Sequence, residues 1–87
     1  MLSLIAAASI WVCMNGVCVD KTRIECHDNV CIFAVKSDND TLPKDYAGIL
    51  AFASCNKQWF MLENDQGKLR PFEHGSVVEA VCASRGL

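Results

Sequence analysis

Two stretches of this chain share one pattern: CMNGVC at 13–18 and CHDNVC at 26–31. In each, two cysteines bracket a four-residue insert whose middle favours a tight turn, and a valine precedes the second cysteine. Asn-Gly is the dipeptide that type I′ hairpin turns favour, because both central residues of such a turn need positive φ. With Asn15-Gly16 as the turn, Met14 faces Val17 and Cys13 faces Cys18. With Asp28-Asn29 as the turn, His27 faces Val30 and Cys26 faces Cys31. The outer partners of each hairpin form a non-hydrogen-bonded pair with Cα atoms about 4.5 Å apart, within reach of a disulfide. The repeat therefore constrains the first third of the chain to two tight hairpins with each thiol pair in bonding distance.

Whether those bonds form depends on compartment. Met1–Val19 carries no charged residue and is about long enough to span a bilayer. The turn at Asn15-Gly16 interrupts it, and no basic residue precedes the apolar run as a secretory signal requires. The segment reads as a folded strand from Leu2 to Met14, the chain as cytoplasmic, and the cysteines as small apolar core residues. The alternative is an exported chain with bridges at Cys13–Cys18, Cys26–Cys31 and Cys55–Cys82, the last closing two helices. A further alternative places zinc on the four N-terminal cysteines; structural zinc hairpins usually separate their ligands by two residues, not four.

At 87 residues, 52% hydrophobic and 21% charged, the composition fits a single compact domain over 1–87 with little surface to spare. The net charge of −2 disfavours a nucleic-acid or anionic-membrane binder. After the first hairpin, Ile24–Cys26 and Val30–Lys36 read as strands, the second apolar on both faces. SDNDTLPK at 37–44 reads as a loop. Tyr46, Ile49, Leu50 and Ala53 then recur at helical spacing, with Thr41 as N-cap and Pro43 in the first turn, predicting a helix despite Gly48. KQWFMLE and KLRPF bracket NDQG as another hairpin, with Pro71 marking an edge strand. Ser76-Val77-Val78-Glu79 fits a capping box opening a helix that carries Val78, Val81, Cys82 and Arg85, stopped by Gly86. The expected fold class is α+β: a small antiparallel sheet in the order β-β-β-α-β-β-α with two helices packed against it.

No catalytic set emerges. In Cys26-His27-Asp28 neighbouring strand residues point to opposite faces, so thiol and imidazole diverge. His74 beside Glu73 has no nucleophile in its neighbourhood of sequence. Asp38, Asp40 and Asp45 lack the glycine and terminal glutamate of a calcium loop. The expectation is a non-enzymatic module with no metal or cofactor that docks onto another protein, an inhibitor encoded by a virus or phage being one instance. Its candidate contact residues are Lys57, Trp59, Phe60, Lys68, Arg70 and Phe72, where aromatic and basic side chains alternate on the last hairpin. The second reading is an exported, disulfide-stabilised effector or toxin-like scaffold.

Overall fold

The computed structural model describes residues 10–39 and 48–87. These form an antiparallel meander of six strands in sequential order, with one short helix on one face. The strands are β1 (Trp11–Met14), β2 (Val17–His27), β3 (Val30–Ser37), β4 (Ile49–Ser54), β5 (Trp59–Leu62) and β6 (Arg70–Pro71), followed by α1 (Val77–Ser84). Both cysteine hairpins form as their turns dictate. Asn15 and Gly16 have φ of 53° and 85°, Asp28 and Asn29 of 53° and 70°, so each turn holds two left-handed residues.

The expected two-helix architecture is wrong in one decisive place. Ile49–Ser54 is a strand paired on both sides, with Ala51 opposite Phe33 and Leu62, and Ala53 opposite Cys31 and Phe60. Its inward Ala51 and Ala53 are wholly buried, while Leu50 and Phe52 line the other face. A strand apolar on both faces mimics the i, i+3, i+4 spacing of a helix over so short a run. Gly48 supplies the contrary signal: its φ is +81°, and a Cβ there would lie 2.8 Å from the Val35 carbonyl oxygen and 2.9 Å from the Trp11 ring. The proposed cap and first turn at Thr41, Pro43 and Tyr46, and the strand start at Leu2–Ser9, lie outside the described residues.

The edge position of Pro71 and the ends of the last helix are as expected. Pro71 occupies the edge strand β6, paired opposite Trp59, where a missing N–H costs no ladder bond with a further strand. Ser76 caps α1 by accepting a hydrogen bond from the Glu79 N–H at 3.3 Å. Gly86, at φ 74°, ends it.

The core lies between α1 and the inner sheet face. Val19, Cys31, Phe33, Val35, Ala51 and Ala53 meet Val77, Val78, Val81 and Cys82 there, with Phe33 fully enclosed. Direct cross-strand partners share a face, so register assigns every β residue to one side. Between Val19 and Ile24 the register of β2 shifts: Val19 faces Val35, yet Ile24 faces Phe33. Five residue steps on β2 thus match two on β3, leaving three extra residues, an odd number that inverts inside and outside along β2. Asp20, wholly buried, holds the bulge. Its carboxylate accepts from the Thr22 N–H at 2.9 Å, the Thr22 hydroxyl at 2.6 Å and the Ile10 N–H at 3.2 Å, and pairs with the Arg23 Nε at 2.6 Å. The Arg23 guanidinium and the Lys36 ammonium stand 5.8 Å and 5.3 Å from the centre of the Trp11 ring.

All six cysteines are bonded, as Cys13–Cys18, Cys26–Cys31 and Cys55–Cys82. These bridges replace the reading of the cysteines as reduced core thiols and fit the exported alternative better than the cytoplasmic one, because disulfides persist in an oxidising environment. Cys18 pairs with Lys36 and Cys31 with Ala53, positions on opposite faces of β3, so the bulge sends the two hairpin bridges to opposite sides of the sheet. The four N-terminal sulfurs therefore do not converge on one metal. Among the described residues no helix is long and apolar enough to cross a membrane.

Candidate functional site

Helix α1 is eight residues long and covers only part of the inner face. Beside it lies a cleft of ≈ 500 Å³, within the range that holds a small ligand or an anchoring side chain. Val35 and Ala51 form its floor, Phe60 and Leu62 of β5 one wall, Val77 and Val78 of α1 another, and Met14 and Val17 of the first hairpin close the end. The small side chain of Ala51, fixed by its register between Phe33 and Leu62, leaves the floor low. The turn of the first hairpin is held against this region because the Asn15 side-chain amide donates to the Gly75 carbonyl.

The rim is polar. Lys68 and Leu69 enter from the β5–β6 connection, Arg70 from β6, and Glu73, His74 and Ser76 from the segment before α1. Leu69 is 55% exposed, an apolar side chain offered to solvent at the mouth. The Arg70 guanidinium is held by Asp65, at 2.8 Å from Nε and 2.6 Å from the terminal nitrogen, which fixes its direction. His74 Nδ1 lies 3.4 Å from the Glu79 carboxylate, and Gly75 N–H donates to the same carboxylate at 3.0 Å. The Ser76 hydroxyl is engaged as the helix cap. The cleft is an apolar depression with oriented charges around it.

The six contact residues expected from sequence separate. Phe60, Lys68 and Arg70 meet at the cleft. Register places Trp59 on the outer face opposite Ser54, Lys57 is exposed in the turn after β4, and Phe72 is half-buried against the core. The apolar lining from Met14, Val17, Val77 and Val78 has no sequence signature as a site, since those residues come from the two ends of the described chain. Cys26 is bonded to Cys31, so it is no free nucleophile beside His27. Asp40 and Asp45 of the calcium-like run lie outside the described residues.

The outer face carries a separate apolar strip, with Val30, Ile32 and Leu50 each more than a third exposed. The chain matches no protein-family model, no curated protein and no solved structure.

Proposed function

We propose that this chain is an exported, disulfide-stapled binding domain, an effector- or toxin-like scaffold that presents the inner-face cleft to a protein partner. The observation that carries this reading is the closure of all six cysteines into three bridges. Free thiols in a reducing cytosol need not pair at all, whereas small exported domains use bridges to supplement a core that their size limits. Here the fully enclosed core side chains include one large aromatic, Phe33, beside alanines, valines and cysteines. The bridges supply what that thin core lacks.

The cleft is the docking face because it combines exposed Leu69, an apolar floor and the fixed cation of Arg70, the mixture found where partner anchors insert. The test begins with intact mass of the full chain secreted through an oxidising compartment and alkylated without reductant. No alkyl adduct and three missing pairs of thiol hydrogens are expected; six adducts would overturn the exported reading. A photoreactive residue at Leu69 is then expected to crosslink a partner that the same residue at Lys21, on the bulge, does not reach. Equal crosslinking from both positions rejects the cleft as the contact.

A further inference from the structure

Two of the three bridges share one pool of sulfur. The tip of the β2–β3 hairpin, the end of β4 and the middle of α1 bring Cys31, Cys55 and Cys82 together, all three buried and their Sγ atoms within 4.8 Å of one another. The Sγ atoms of Cys31 and Cys55 belong to different bridges yet touch at 3.6 Å. Cys26, bonded to Cys31 at 2.04 Å, supplies a fourth sulfur from beside that group of three. In a tetrahedral tetrathiolate with Zn–S of about 2.3 Å the sulfurs stand about 3.8 Å apart, close to the contact the two bridges already make.

We propose that Cys26, Cys31, Cys55 and Cys82 form a tetrathiolate site for zinc, or another thiophilic divalent metal, when the bridges are reduced. Each bridge takes two electrons and two protons from a dithiol, which leaves as its own disulfide. The four resulting thiols give up four protons to bind one divalent ion. Their convergence does not rest on the bridges alone. The Cys55 N–H donates to the Asn29 carbonyl at 2.8 Å, tying the end of β4 to the second hairpin turn. The Arg85 guanidinium donates to the Ile24 carbonyl at 3.2 Å, tying the end of α1 to β2 and placing a cation on the same stretch of chain as the doubly negative centre. Burial of Cys31, Cys55 and Cys82 favours a closed structural site over a catalytic one, with half-buried Cys26 the ligand nearest solvent. Cys13 and Cys18, on the other face, take no part.

The experiment uses the full chain, reduced by a phosphine under argon and titrated with cobalt(II) as a spectroscopic stand-in for zinc. One equivalent giving the absorption of tetrahedral cobalt thiolate is expected, displaced by zinc, and unchanged in the Cys13→Ser/Cys18→Ser double variant. Outer-sphere changes already weaken such sites 10–100-fold, so Cys82→Ser, which removes a ligand, is expected to weaken binding at least about 100-fold. Cys82→His is expected to keep one equivalent with a shifted spectrum, which separates loss of a ligand from loss of fold. Absence of the tetrathiolate spectrum in the reduced chain overturns the proposal, as does its loss in the Cys13→Ser/Cys18→Ser chain. The result is independent of the oxidised mass, so failure here leaves the exported reading standing, and the converse.

Discussion

The two cysteine hairpins have the same spacing, the same turn geometry and the same bonded register, but different surroundings. Cys13–Cys18 runs from an exposed residue at the edge strand to a buried one on the outer face, near Lys36. Cys26–Cys31 runs from a half-buried residue into the core, beside Phe33 and against the third bridge. Their Cα separations, 3.9 Å and 4.0 Å, are nearly equal. Local sequence thus decides that each bond can form, and the long-range register decides what the bond touches. A repeated motif is a repeated local geometry, and carries no promise of a repeated role.

Mutations can pull this contrast apart. Phe33→Ala, which empties the core beside the second hairpin, is expected to cost about 4 kcal/mol in a denaturant titration. Replacing both Cys55 and Cys82 by alanine opens a loop of sequence separation 27 and is expected to cost about 3.5 kcal/mol by loop entropy. Asp20→Asn removes the charge that pairs with Arg23 at the bulge, for an expected loss of about 2 kcal/mol. If the first hairpin frays independently, hydrogen exchange should rise at Trp11–Met14 in that variant and stay unchanged in β3 and β4; a uniform rise would mean that both hairpins open as one unit. Loop entropy gives either hairpin bridge the same value, about 2 kcal/mol at a separation of 5, so any excess for the Cys26→Ala/Cys31→Ala pair over Cys13→Ala/Cys18→Ala measures the core contacts. The smallest effect is kinetic. Under mild reductant the Cys13–Cys18 bridge is expected to open first, as mass spectrometry of timed alkylation would show, because Cys13 is exposed and Cys31 is wholly buried.

What sequence could reveal follows the same division. The turns at Asn15-Gly16 and Asp28-Asn29, the cap at Ser76 and the edge position of Pro71 each depend on a few adjacent residues, and each was readable. The two hairpin pairs were readable as geometry, whereas Cys55–Cys82 was expected to close two helices and instead joins the end of β4 to α1; the oxidation of all three was not readable, since that depends on compartment. The β4 strand misled because Ile49, Leu50 and Ala53 satisfy two periodicities at once, and the arbiter, Gly48, needs Trp11 and Val35 beside it to declare its purpose. Half of the expected contact set reached the cleft. Trp59 did not because alternation along β5 sends it and Phe60 to opposite faces, while Lys57 lies in the turn before β5 and Phe72 packs against the core after β6. The bulge was the deepest omission: nothing local to residues 20–23 marks it, and only pairing with β3 shows that the segment contains an odd excess of residues.

That odd count also bears on how this chain could change by descent. Loss or gain of a single codon within 20–23 would make the excess even, and everything before the bulge would turn over relative to everything after it. The first bridge would then point to the helix side, and Val12 and Met14 would exchange places with Trp11 and Cys13. A substitution at these four positions is a local event. A one-residue deletion there rewrites the outside of the molecule as its inside.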